Sequence, residues 1–133
     1  MKKFNCVLLV DDDSVSNFLH REVLERMHIA NHTHESKNGH EALSFVKEHC
    51  APVEESECPD LILLDIKMPV MNGFEFLEEL KEFKKNLNRN LKVIIVSSST
   101  NPKDREQSQK FPIDGYIDKP LSASKLEAVV DSY

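Results

Sequence analysis

The stretch VLLVDDDSVSN, residues 7–17, sets four apolar residues directly against Asp11, Asp12 and Asp13. The apolar run is continuous rather than alternating, the pattern of a strand covered on both faces. Beyond the carboxylates, Val15, Phe18, Leu19, Val23, Leu24 and Met27 follow helical spacing, and Asp13 or Ser14 stands where an N-cap belongs. A buried strand, a polar break and a helix make one β–α unit. Like charges at its joint repel and raise one another's pKa. Either they face bulk water or something positive sits among them.

The same step recurs along the chain. NHTHES (31–36) is a polar strand candidate suited to a sheet edge, and Asn38-Gly39 turns the chain into the helix HEALSFVKEHC (40–50). DLILLD (60–65) is a second buried strand, followed by the loop KMPVMNG (67–73), where Pro69 and Gly73 resist regular structure. FEFLEELKEFKK (74–85) is helical, with Phe74, Leu77, Leu80 and Phe83 on one stripe, and KVIIVSSS (92–99) is a third buried strand. NPKDREQSQKF (101–111) predicts a polar, loosely held helix; DGYIDKP (114–120) contains a short last strand and SASKLEAVVDSY (122–133) a final helix. Alternating strands and helices with short links predict an α/β fold: a doubly wound, five-stranded parallel sheet with helices on both faces. A weak second strand at the edge and the most apolar strands at the centre are both satisfied by the order 2-1-3-4-5. Chemistry in such sheets collects at the carboxyl ends of the strands.

Composition narrows the function. With 133 residues, 40% hydrophobic and 30% charged, the chain reads as one globular domain over 1–133. A formal net charge of −6 offers no basic face for nucleic acid. The opening MKKFNCVLLV imitates a signal peptide, but the run is cut at Asp11 with no cleavage site after it. No apolar stretch is long enough to span a bilayer, so a cytoplasmic protein with no membrane partner is expected. In that compartment Cys6 reads as a small core residue; Cys50 and Cys58, flanking APVEESE (51–57), could bridge in an oxidising setting but are expected to stay reduced. The six histidines show no ligand spacing among themselves or with cysteine.

Four groups meet at the predicted carboxyl edge: Asp11-Asp12-Asp13 after the first strand, Asp65 after the third, Ser97 to Thr100 after the fourth, and Asp118-Lys119-Pro120 after the fifth. An aspartate run alone reads as a solvated turn or helix cap; Asp65 brings a further carboxylate to the same edge and changes that reading. Asp13 keeps the capping role. Carboxylates, a hydroxyl and one lysine make a hard-oxygen site for a cation and a phosphoryl group.

In its VDDD cluster, LLDIKMPVMNG segment, VIIVSSS ending and GYIDKP lysine-proline, the chain resembles the receiver domain of two-component response regulators over essentially its whole length. That resemblance implies a flavodoxin-like (βα)5 fold and a phosphorylation-activated signalling switch. It makes Asp65 the phosphoacceptor, charged by a histidine kinase or histidine phosphotransfer protein in a Mg²⁺-dependent reaction. Asp12 aligns with the direct metal ligand and Asp11 with the neighbour that binds through water. Asp65 itself and the backbone carbonyl of Lys67 complete the metal set. Lys119 would reach a phosphoryl oxygen, Ser97 is the switch hydroxyl, and Tyr116 the aromatic that moves with it. Pro120 would follow a cis peptide bond, and Pro69 and Gly73 shape the loop beside the acceptor. Read-out would use the face of the fifth strand and its flanking helices.

Two departures stand out. Ser98 replaces a more usual small alanine, and Lys67 sets a long cation beside the site, leaving the dephosphorylation rate open. With the final helix running to Tyr133, no output domain is expected; output would pass through contact with an unknown protein target, as a monomer or a phosphorylation-dependent dimer. Self-catalysed phosphotransfer and dephosphorylation would be its only chemistry. The competing readings are an aspartyl-phosphate hydrolase and a constitutive adaptor. Haloacid-type phosphatases would place an aspartate where Lys67 stands, and retention of Asp12, Asp65, Ser97 and Lys119 argues against an adaptor.

Overall fold

β1 (Phe4–Val10) leads into α1 (Ser14–Met27), and the step repeats through β2 (Ala30–Ser36), α2 (Gly39–His49), β3 (Leu61–Leu64), α3 (Gly73–Lys84), β4 (Lys92–Ser97), α4 (Pro102–Ser108), β5 (Gly115–Asp118) and α5 (Ala123–Val130). This computed structural model describes residues 3–50, 57–85, 87 and 90–131. The start of the leader-like run (Met1 and Lys2), residues 51–56 of the loop between the cysteines, and Ser132 and Tyr133 of the expected final helix lie outside the described residues.

The strands pair in parallel in the order β2-β1-β3-β4-β5, as the sequence predicts. β3 is the centre: all of LILL is buried, and its register sets Val10 opposite Leu64 on one side and Ile95 opposite Leu64 on the other. β2 carries the most polar strand sequence and occupies the edge, where one row of backbone groups needs no partner. The sheet divides the apolar residues into two cores. One joins Leu8, Val10, Ile62, Leu64 and Ile95 to α2 and α3; the other joins Val7, Leu9, Leu63, Ile94 and Ile117 to α1 and α5. Alternation along β1, with Leu8 in one core and Leu9 in the other, produces that division.

Local signals start the helices where polar caps stand. Asp13 accepts from the Val15 N–H at 2.9 Å, Asn38 from Glu41 and Ser122 from Lys125. Asn72 and Glu75 form a reciprocal capping box at α3. α4 is short and polar, with Ser108 its one buried residue.

Helical spacing over Ser14–Met27 predicts α1 but not which of its faces is buried. The apolar residues at the start of α1 do not face the core: Val15 is 63%, Phe18 58% and Leu19 54% exposed. Asn17, His20 and Leu24 are buried instead. The Asn17 amide donates to the Asp11 carbonyl at 3.0 Å, and that bond rotates the polar side of the first turns toward the sheet. One expectation fails: Cys50 and Cys58 are joined in a disulfide rather than reduced. Cys50 caps α2 and Cys58 precedes β3, so the return from helix to sheet brings their Cα atoms to 4.9 Å, within bridging range. Cys6 is free and buried, and burial raises its thiol pKa to about 12. Among the described residues no helix is long and apolar enough to cross a membrane.

Candidate functional site

The site lies where β1 and β3 diverge from the edge of the sheet toward α1 and α3. Backbone pairing holds its parts in place. The Asp11 N–H donates to the Ser36 carbonyl, Asp65 to Val10 and Lys119 to Ser97, all at 2.9–3.1 Å. The strand ends are thereby locked in register, and Asp11, Asp65, Ser97 and Lys119 converge on one cleft. It has a volume of about 560 Å³ and is also lined by Asp12, Asp13, Lys67 and Ser98 to Asn101.

The three candidate carboxylates lie together: oxygens of Asp11, Asp12 and Asp65 come within 4.8 Å of one another. Asp11 is buried and Asp12 exposed. Lys119 supplies the positive group. Its Nζ donates to Asp11 Oδ2 at 2.7 Å and stands 3.8 Å from Asp65 Oδ2. Asp11 Oδ1 accepts from the Asp13 N–H, so its carboxylate is used on both oxygens. Asp65 Oδ1 accepts from the Ile66 N–H at 2.9 Å.

These contacts leave Asp65 under-compensated. Burial first, and then the Asp11 and Asp12 charges, push its pKa up from 3.8 to about 6, against the opposing pull of Lys119 and the Ile66 N–H. One lysine among three carboxylates leaves excess negative charge in a half-enclosed, all-oxygen cluster. That donor set fits a hard divalent cation.

The remaining predicted residues fall around this cluster. Ser97 is 2% exposed, and its hydroxyl accepts from the Ser99 N–H at 3.0 Å. Tyr116 lies in an adjoining cavity that it shares with Ser97 and Lys119. The Lys119–Pro120 bond is cis, as the resemblance implies. Pro69 and Gly73 sit in the β3–α3 loop: the Pro69 carbonyl accepts from Met71, and the Gly73 N–H donates to Ile66. A Cβ on Gly73 would lie 2.4 Å from the Asp65 carbonyl, so only glycine allows α3 to start this close to the acceptor strand. Asp118 does not pair with Lys119. It turns to the opposite face, as alternation predicts, where it stands 3.9 Å from Arg105.

Sequence reasoning missed three neighbours, all on α1. Ser16 Oγ is 3.5 Å from the Lys119 ammonium, Asn17 is tied to the Asp11 carbonyl, and His20 is 6% exposed. Burial and the Lys119 charge lower the His20 pKa, against the opposing Asp11 charge. Polar residues at positions 17 and 20, one turn apart in a helix leaving an acidic cluster, were the available signal.

The response regulator receiver domain model matches residues 7–131. The chain is 35% identical to the chemotaxis protein CheY of Halobacterium salinarum, over 94% of this chain and 93% of that protein. A two-component response regulator from Cytophaga hutchinsonii superposes with a TM-score of 0.84 at 30% identity, covering 98% of this chain and 97% of its own. The receiver domain of the histidine kinase CKI1 from Arabidopsis thaliana, solved with Mg²⁺ and BeF3⁻, superposes with a TM-score of 0.85 at 25% identity, over 96% and 88% of the two chains. A parallel sheet of order 2-1-3-4-5, an acidic cluster at its carboxyl edge and this match over nearly all of its length lead to one assignment: the chain belongs to the response regulator receiver domain family, the phosphorylation-dependent switches of two-component signalling.

Proposed function

We propose that Asp65 is the phosphoacceptor of this switch. A carboxylate oxygen of Asp65 attacks the phosphorus of a phosphohistidine on a histidine kinase or phosphotransfer protein. The P–N bond breaks, its electron pair stays on the imidazole nitrogen, and the product is an aspartyl phosphate. Return to the resting state is attack by water on phosphorus, with the P–O bond breaking and the Asp65 carboxylate leaving. The protein's own chemistry is limited to these two steps, so it acts as a switch and not as a turnover enzyme. The observation that carries this reading is the position of Asp65, half-buried between Asp11 and Lys119 at the end of the central strand.

Asp11, Asp12, Asp65 and the Lys67 backbone carbonyl would hold Mg²⁺, whose charge lets an anionic nucleophile approach a phosphoryl group. Lys119 already spans Asp11 and Asp65, and a phosphoryl oxygen on Asp65 would compete with Asp11 for its ammonium. Ser97 would exchange the Ser99 N–H for a hydrogen bond to the phosphoryl group, and Tyr116 would follow it in the shared cavity. Read-out would be a protein–protein contact in the cytoplasm, with the histidine-containing partner supplying the phosphoryl group.

Acetyl phosphate and Mg²⁺ test this directly. The wild-type protein should gain the mass of one phosphoryl group, labile to hydroxylamine and dependent on the metal, and Asp65→Asn should gain none. An adduct that persists in Asp65→Asn places the acceptor elsewhere. Turnover of a phosphate monoester, which the two steps above do not use, would favour a hydrolase.

A further inference from the structure

Arg105 crosses from α4 to β5. Its guanidinium carbon lies 4.5 Å from the centroid of the Tyr116 ring, and Nη1 stands 3.9 Å from Asp118 Oδ2. Tyr116 and Asp118 are two residues apart on one strand and so share a face of the sheet. One guanidinium therefore covers both side chains that this end of β5 turns toward α4. A cation over an aromatic face is attracted by the ring's quadrupole, and arginine is well suited because its planar group stacks.

The same ring borders a cavity of about 320 Å³ that runs between the β4–α4 segment and β5 and reaches Ser97. Tyr116 thus has a cation against its face and borders, together with Arg105, a space that leads to the switch hydroxyl. α4 buries only Ser108, and its Asp104 accepts from the Ser99 hydroxyl of the segment before it. A charged side chain that grips an aromatic across two elements sets which position the ring prefers.

We propose that Arg105 is a positioning residue that holds Tyr116 in its present position, against inward movement toward Ser97, and ties α4 to β5 through that ring. Inward movement of the ring breaks the stack, so the same event that accompanies phosphorylation loosens α4 from β5. The clasp opposes activation by the free energy of the stack. This rests on the reading of Ser97 and Tyr116 as the switch pair, and it adds the group that sets their resting balance. Removing the clasp shifts the free protein toward the ring-in state and tightens any ligand that selects that state.

The chain has two tyrosines and no tryptophan, so Tyr133→Phe leaves Tyr116 as the single tyrosine. In that parent, labelled with 3-fluorotyrosine, one ¹⁹F resonance reports the ring. Mg²⁺ with beryllofluoride should move it. Arg105→Met keeps an unbranched apolar stem and removes the guanidinium; it should shift the free resonance toward the bound position and tighten beryllofluoride binding roughly two- to fivefold. Arg105→Lys, which keeps the charge, should fall between Arg105→Met and the parent in both measurements. Arg105 is over half exposed, so neither variant disturbs the core. A parent that responds to beryllofluoride while Arg105→Met binds it with unchanged affinity overturns the clasp alone. A parent resonance that ignores beryllofluoride overturns the switch reading, and the clasp with it.

Discussion

Asp65 pays for its position in the apo protein. Its pKa of about 6 in the fold lies above the 3.8 of a free carboxyl, because burial and the Asp11 charge disfavour the ionised form. The protonated form is therefore the one the fold favours. Its contribution is fully present below about pH 4 and is lost as pH rises through about 6. At neutral pH the ionised Asp65 destabilises the metal-free protein. Asp65→Asn, which cannot ionise, should raise stability at pH 7.5 by roughly 1–3 kcal/mol without added metal, and that advantage should shrink toward pH 4. Urea denaturation in a chelator at the two pH values checks it; an Asn variant less stable than wild type at pH 7.5 contradicts the electrostatic account. At this scale the sequence reading succeeded where chemistry is local. Asp13 caps α1 because that role follows from spacing along one element. The partner of Asp11 was less accessible, since Lys119 lies 108 residues away and only the folded sheet brings it within 2.7 Å.

The β3–α3 loop is the element that aims the acceptor, and two of its residues respond oppositely to substitution. Gly73 packs against the Asp65 carbonyl with no room for a methyl group. Gly73→Ala should destabilise by roughly 1–3 kcal/mol, the usual cost of overpacking, and slow phosphorylation by displacing Asp65. Val70 has φ of 68°, a left-handed conformation that β-branched residues avoid, yet it is 81% exposed and packs on little. Val70→Gly relieves that strain against a smaller entropic cost and should stabilise by about 0.5–1 kcal/mol. Chemical denaturation of both variants reads the two signs; a neutral Gly73→Ala would show that the loop yields. Pro69 and Gly73 marked the loop in the sequence, whereas the positive φ at Val70 did not, because its residue type argues against it. α1 misled in the same way. Its apolar residues had helical spacing, but Asn17 and His20 took the inward face through a bond and a burial that periodicity does not encode.

At the scale of the molecule, apolar runs were enough to order the sheet. NCVLLV, DLILLD and KVIIVSSS read as buried strands and are the three inner ones, while the polar NHTHES lies at an edge. The carboxyl-edge site then follows from topology, which is why Asp11, Asp12, Asp65, Ser97 and Lys119 could be named together before any geometry was known. Arg105 lying over Tyr116 escaped because it depends on a distance between elements, whereas the Cys50–Cys58 bridge was set aside on redox grounds. The account as a whole rests on one carboxylate. Treat the protein with acetyl phosphate and Mg²⁺, reduce the acyl phosphate with borohydride, and sequence the peptides by mass spectrometry. Homoserine should appear at position 65 alone, and only when metal was present. Homoserine at position 11 or 12, or an unmodified Asp65 in protein that carries the phosphoryl mass, would contradict it.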